Sequence, residues 1–285
     1  MQLLHDVAQW RAYCNDQRAS GERVGLVATM GALHAGHAAL FDAAKVHGDI
    51  VVATLFVNPR QFNDANDLTR YPRSREEDRA LASAHGVDCL VEPSLAEMWP
   101  DYPNATATTV SVRGIGENYE GASRPGHFDG VTSVVAKLFT ISGPCRAYFG
   151  EKDFQQLAMV RQMVRDLSFD IDVVGCPIVR DEDGLALSSR NTRLGPVGRQ
   201  RALALSSALR DIGSSPANAR TLRDRLRASL VDAQLDVVYA DVVNPVTFEP
   251  SSDDEIGEAR ALIAANVDGV RLIDNGTVTL EREER

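Results

Sequence analysis

Short, continuous apolar runs alternate in the first half of the chain with segments whose apolar residues recur at helical spacing. Val24-Gly25-Leu26-Val27-Ala28 and Ile50 to Val57 read as strands, the second rich in the β-branched residues of a parallel strand buried on both faces. Val87 to Val91, Ala147-Tyr148-Phe149 and Ile171 to Val174 continue the series. Helices are predicted over Leu3 to Gln17, Ala38 to His47, Ser74 to His85, Val131 to Ile141 (which supplies Lys137) and Phe154 to Leu167. In the first of these, Leu4, Val7, Trp10 and Tyr13 share a face. Ser74 and Glu77 have the spacing of a capping box. Asn63 to Arg73 is polar, rich in turn formers, and reads as a mobile lid. Strands alternating with helices predict an α/β fold with a doubly wound parallel sheet.

Beyond Val179 the alternation stops. Helices are expected from Val197 to about Leu209 and from about Leu222 to Ala233. Strands are expected at Leu235 to Val243, Ala261 to Asn266 and Val270 to Asp274, with Asn275-Gly276 as a hairpin-turn signal. The reading places an N-terminal domain at 1–178 and a smaller α+β domain at 179–285.

Composition narrows the partners. The 285 residues are 44% hydrophobic, enough for a large core and two domains. A net charge of −10 repels nucleic acid and anionic membranes, so an anionic ligand must be held by local cations. The four cysteines, Cys14, Cys89, Cys145 and Cys176, form no C-x-x-C and read as buried apolar residues in a reducing compartment. With no basic-then-apolar leader and no run of membrane-span length, a cytoplasmic protein is expected.

The strongest candidate chemistry lies at Thr29-Met-Gly-Ala-Leu-His-Ala-Gly-His37, a glycine-bearing turn between a predicted strand and a predicted helix. Unpaired amides at such a helix start, together with the helix dipole, favour an anion. His34 and His37, with Gly36 between them, are spaced to face one phosphate chain; a metal pair or two surface histidines are the alternatives. Gly150-Glu151-Lys152-Asp153 ends a strand and begins a helix, so Lys152 can reach a phosphate, or Asp153 can simply cap the helix beside a solvated lysine. Ser188-Ser189-Arg190 offers hydroxyls and a guanidinium to phosphate oxygens, or is an ordinary polar turn. Gln61 and Gln156 are neutral amides able to hold a hydroxy acid, or are surface residues, and Arg124 and His127 are loop cations. No G-x-x-x-x-G-K-[ST], H-E-x-x-H or Gly-x-Ser-x-Gly occurs, and Gly114-Ile-Gly116 is followed by Tyr119 where a dinucleotide fingerprint needs glycine. Taken together, the histidine, lysine and Ser-Ser-Arg sets suit one triphosphate, as in nucleotidylyl transfer.

The chain resembles the pantothenate synthetase (pantoate–β-alanine ligase) family. The stretches that carry the likeness are Thr29 to His37, Phe56-Val-Asn-Pro-Arg-Gln-Phe62, Tyr71-Pro-Arg73, Arg124-Pro-Gly-His-Phe128, Tyr148-Phe-Gly-Glu-Lys-Asp153, Gln155-Gln156 and Asp183-Gly-Leu-Ala-Leu-Ser-Ser-Arg-Asn191. Ala28 stands where the family usually has proline, and Thr69 where it commonly has an acid. The resemblance implies a Rossmann-like sheet of nucleotidylyltransferase type and a C-terminal domain closing over ATP. It implies condensation of (R)-pantoate with β-alanine to pantothenate, AMP and pyrophosphate through a pantoyl adenylate.

Carried over by position, the ATP-binding residues are Met30, Gly31, Ala32, Leu33, His34, Ala35, Gly36, His37, Gly150, Glu151, Lys152, Asp153, Val179, Leu187, Ser188, Ser189 and Arg190. His37, the family's proton donor, His34, Lys152 and Arg190 are the catalytic set, and Gln61 and Gln156 hold pantoate, with Gln61 near β-alanine. Mg2+ accompanies ATP with protein ligands unknown, and a homodimer is implied. The rival readings are another enzyme of the His-x-Gly-His superfamily, such as a phosphopantetheine adenylyltransferase, and a nucleotide-binding module without catalysis.

Overall fold

A computed structural model describes residues 1–282. In chain order it contains β1 (Gln2–Leu4), α1 (Val7–Ala19), β2 (Val24–Thr29), α2 (Ala35–Val46), β3 (Ile50–Leu55), α3 (Ala65–Thr69), α4 (Arg75–Ala84), β4 (Cys89–Val91), α5 (Leu95–Met98), α6 (Glu120–Ser123), α7 (His127–Ser142), β5 (Cys145–Gly150), α8 (Phe154–Asp166), β6 (Ile171–Cys176), α9 (Pro196–Gly213), α10 (Ala219–Asp232), β7 (Asp236–Val243), β8 (Gly257–Val267) and β9 (Val270–Leu280). Single turns of 3-10 helix lie at Pro59–Gln61, Glu151–Asp153 and Ser189–Arg193. The chain separates into two compact units: Met1–Glu151 with Gln156–Pro177, and Lys152–Gln155 with the residues from Ile178 onward. Among the described residues no helix is long and apolar enough to cross a membrane.

The first unit is an α/β domain around a sheet of six parallel strands in the order β1-β4-β3-β2-β5-β6. Val24, Leu26, Val27, Val51, Val52 and Ala53 are buried, as a strand covered on both faces requires. Phe41 and Ala44 of α2 pack in one core with Val27, Val51, Ala53 and Tyr148. From β2 the chain moves to β3 on one side, and β5 lies on the other, so the strand order reverses between β2 and β5. Ligands of open α/β sheets bind outside the carboxyl ends of strands at such a reversal. Thr29 and Gly150 are the ends there.

The second unit has an antiparallel sheet, β7-β8-β9, whose core residues Ala240, Ala261, Ile263 and Leu272 pack with Leu205, Leu209, Leu222 and Leu226 of α9 and α10.

Several sequence expectations are corrected. Leu3 and Leu4 do not begin a helix; they form edge strand β1, paired in parallel with β4, and α1 starts after the Asp6 cap. The Ser74–Glu77 capping box is absent, because the Ser74 hydroxyl donates to Asp78 Oδ1 at 3.2 Å instead. Asn63 to Arg73 contains the short helix α3, capped by Asp64. His127 lies in the first turn of α7, not in a loop. Asn275-Gly276 is not a turn: it sits inside β9, and the β8–β9 connection is Asp268-Gly269.

Candidate active site

At the end of β2 the Thr29 hydroxyl donates to Thr54 O at 2.6 Å and accepts the Gly31 N–H at 3.3 Å. Gly31 (φ 83°) and Ala32 (φ 51°) then turn the chain through two successive left-handed residues. Glycine takes that conformation freely; alanine does so at a cost on the order of 1–2 kcal/mol. Asp78 supplies the compensation. Buried on α4, it accepts the Ala32 N–H at 3.0 Å and the Leu33 N–H at 2.7 Å, one on each carboxylate oxygen. A Cβ on residue 31 would lie 2.9 Å from Asp78 Oδ2, so the close approach also needs glycine there.

His34 is the extended N-cap of α2. Its Nδ1 accepts the Gly36 N–H at 3.1 Å, and His37 Nδ1 accepts the His34 N–H at 3.2 Å, making a capping box of two imidazoles. This corrects the expectation that the amides of the turn are left for an anion: those of Ala32, Leu33, His34 and Gly36 have partners within the protein. A ring nitrogen that accepts a backbone N–H carries no proton, so each neutral imidazole has its proton on Nε2. The two rings lie 4.2 Å apart between centroids, tilted by 45°. The local sequence thus builds a pair of Nε2–H donors on a fixed base.

Beyond β3, Phe56 N–H donates to Thr29 O at 3.1 Å, so the chain leaves that strand beside the histidine turn. Pro59–Gln61 is a 3-10 turn with Asn58 as its cap. Asn58 is buried; its Oδ1 accepts from Trp99 Nε1 at 2.9 Å, while its Nδ2 donates to Gln61 Oε1 and to Gly130 O, both at 3.0 Å. The Gln61 amide oxygen thus accepts from Asn58, which sets the orientation of its carboxamide. His127 Nδ1 lies 2.7 Å from Gln61 O, with its Nε2 3.0 Å from Arg124, so Arg124 and His127 belong to the support of this turn. Arg60 and Lys137 stack on Trp99 at 5.0 and 4.9 Å. Burial first, and then the Arg60 charge, hold the Lys137 ammonium below its ordinary pKa.

Gly150 ends β5 beside β2, and the chain continues through Glu151–Asp153 as a 3-10 turn. Within the second unit, Lys152 Nζ is 3.9 Å from Asp153 Oδ1. Val179 O accepts the Leu187 N–H at 3.0 Å and Arg180 bridges to Ala186, so residues 179–187 form a small hairpin turning at Asp181–Gly184. Ser188 caps the following 3-10 turn, its hydroxyl accepting the Arg190 N–H at 3.3 Å, and buried Asn191 pins that turn to Ala186 O at 2.9 Å. Gln156 lies on α8, half-buried, next to buried Gln155.

The structure thus gathers Met30 to His37 and Gln61 near the strand reversal of the first unit, and Lys152, Asp153, Val179 and Leu187 to Arg190 in the second. Sequence reasoning missed Asp78 and Asn58 as supports. Asp78 is the third of three acids in the first turn of α4, which reads as an ordinary complement to the helix dipole. Asn58 had a visible signal in Asn-Pro, a turn-initiating pair.

A family model described as pantoate-beta-alanine ligase matches residues 2–277. Similar curated proteins include the pantothenate synthetase of Koribacter versatilis, 46% identical over 283 residues, covering 96% of this chain and 95% of that protein. That of Cereibacter sphaeroides is 47% identical over 277 residues, covering 96% and 98%. Among solved structures, pantothenate synthetase from Thermus thermophilus superposes with a TM-score of 0.87 at 45% identity, over 97% of this chain and 99% of that one. The pantoate-beta-alanine ligase of Francisella tularensis, complexed with beta-gamma ATP and beta-alanine, gives a TM-score of 0.79 at 32% identity, over 97% of each chain.

Proposed function

The chain belongs to the pantoate–β-alanine ligase family, and from that premise we propose how its residues divide the work of joining the two substrates at the expense of ATP. A pantoate carboxylate oxygen attacks the α-phosphorus, the bond from that phosphorus to the β-phosphate bridge breaks, and pyrophosphate leaves. The β-alanine nitrogen then attacks the acyl carbon of the pantoyl adenylate, loses a proton, and AMP departs with the acyl oxygen. Activation is needed because a carboxylate oxygen leaves poorly and AMP leaves well. Positioning and charge neutralisation are then what the protein must supply, and no protein nucleophile is required.

The observation that carries this reading is the imidazole pair. With both Nδ1 atoms held by backbone N–H groups, His34 and His37 present Nε2–H to phosphate oxygens, and the proton-donor role that the resemblance gives His37 falls on that atom. Met30, Gly31, Ala32, Leu33, Ala35 and Gly36 form the wall of the nucleotide subsite. Lys152 and Arg190 neutralise the phosphates, Ser188 and Ser189 donate hydroxyls, Asp153 meets the ribose, and Gly150, Val179 and Leu187 lie along the nucleoside. Gln61 and Gln156 hold pantoate, Gln61 through its amide NH2. Mg2+ would accompany ATP, as the family resemblance implies; among the described residues no three His, Cys, Asp or Glu side chains group as a metal site. The setting that goes with this reading is a cytoplasmic homodimer acting on small molecules, with no nucleic-acid or membrane partner. The family match over residues 2–277 does not favour the adenylyltransferase or non-catalytic readings.

The test is exchange of labelled pyrophosphate into ATP. Pantoate alone should support exchange, and AMP and the amide should accumulate only when β-alanine is added. Exchange that requires β-alanine would rule out a free-standing adenylate step.

A further inference from the structure

The backbone of the lysine turn is gripped by a residue of β9. Asn275, buried, donates from Nδ2 to Lys152 O at 2.9 Å. Its Oδ1 accepts from Arg260 Nε at 2.7 Å, which fixes which way the amide points, since the flipped amide would set its NH2 against a guanidinium N–H and its oxygen against a carbonyl. Arg260 is itself buried: it donates from Nη1 to Thr277 Oγ1 at 3.0 Å and stacks over Phe154 at 4.0 Å, and Phe154 stacks on Phe248 at 5.9 Å between centroids. The preceding residue works on the opposite face of the strand. Asp274, also buried, takes both Arg180 Nη1 (2.7 Å) and Nη2 (3.0 Å) on its carboxylate, at the base of the hairpin that leads to Ser188–Arg190.

We propose that Asn275 is a positioning residue for Lys152: it fixes the lysine's peptide to β9, and Asp274 beside it fixes the Arg180 hairpin, so one dipeptide sets both phosphate-directed groups of the second unit in a common frame. The inference rests on the reading of Lys152 as the cation that meets departing pyrophosphate. Only a carboxamide serves at position 275, because one side chain must accept from a guanidinium and donate to a carbonyl. Anchoring the peptide rather than the ammonium matters for the chemistry. The charge of Lys152 stays able to follow the oxygens as negative charge shifts onto pyrophosphate, an interaction that grows toward the transition state, while the base of its flexible stem cannot wander.

Asn275→Asp tests this. The carboxylate keeps its bond to Arg260 and sets an oxygen against Lys152 O in place of a donor. Single-turnover formation of pantoyl adenylate should fall by about tenfold or more, while the ATP Kd, titrated separately, changes by less than about threefold. The same substitution in a Lys152→Ala background should lower the remaining rate by less than about twofold, because both changes act through one ammonium. Thermal unfolding is recorded for each variant. If Asn275→Asp does not fold, Asn275→Ala, which removes the donor without adding repulsion, takes its place in the same cycle. An equal loss in both backgrounds, or no loss in the folded single variant, overturns the inference and leaves Lys152 in its role. A Lys152→Ala enzyme that forms adenylate at the parent rate overturns the reading of Lys152, and the inference with it.

Discussion

Gly130→Ala puts one methyl group where the structure has no room for it. A Cβ at residue 130, in the first turns of α7, would lie 2.2 Å from Arg60 O, 2.5 Å from Arg60 C and 2.7 Å from Gln61 N. All three are backbone atoms, so no side chain can swing aside, and the Pro59–Gln61 turn must retreat by about 1 Å to reach the 3.4 Å of ordinary contact. Such a shift stretches the 3.0 Å bond from Asn58 Nδ2 to Gly130 O beyond hydrogen-bond range and disturbs its partner bond to Gln61 Oε1. Overpacking costs about 1–3 kcal/mol, and a lost hydrogen bond about 0.5–1.5 kcal/mol. The helix itself would gain: glycine to alanine in a helix interior is worth up to about 1 kcal/mol. The sign of the stability change therefore decides whether the turn yields.

The functional consequence is sharper than the stability change. A 1 Å displacement of a substrate-holding group can cost on the order of a hundredfold in rate. Steady-state kinetics with each substrate varied in turn should show the pantoate KM raised by about tenfold or more and the ATP KM within about threefold, with a lowered Tm. A variant as stable as the parent, or more so, with an unchanged pantoate KM would show that the α7 contact does not set Gln61.

Three further outcomes are expected. Asp78→Asn leaves one acceptor for two backbone N–H groups and sets an NH2 against the other; denaturant unfolding should show a loss of about 1–3 kcal/mol, and calorimetric titration a weaker ATP Kd, so unchanged values in both would free Asp78 of the turn. Burial first pushes the thiols of Cys14 and Cys176 up to about 11 and those of Cys89 and Cys145 up to about 12; near neutral pH they stay protonated, activity should survive alkylation in full, and a loss that ATP and pantoate prevent would contradict this. Asn63 to Arg73 is largely exposed around the five-residue helix α3; its amides should exchange more slowly with ATP and pantoate bound, and equal protection with and without them would remove the lid.

The first unit's sheet was legible along the chain because its signals are local. An apolar run buried on both faces reads as a strand whatever its neighbours, and a strand, a glycine turn and a helix place His34 and His37 on one helix start without help from distant residues. The placement of Lys152 and Ser188–Arg190 at element ends was legible for the same reason, since each lies at a short 3-10 turn.

What tertiary structure alone decided is whatever depends on a partner far along the chain. β1 is too short to announce itself and exists through pairing with β4. Asp78 reads as one more acid on a solvated helix turn until α4 packs it against Ala32 and Leu33. Asn275-Gly276 has strong turn propensity, but the buried Arg260 and the Lys152 carbonyl satisfy the asparagine within a strand, and the chain turns at Asp268-Gly269 instead. Local propensity is worth about 1 kcal/mol per residue, and a buried amide with no partner costs about 1–3 kcal/mol; where the two disagree, the distant partner wins.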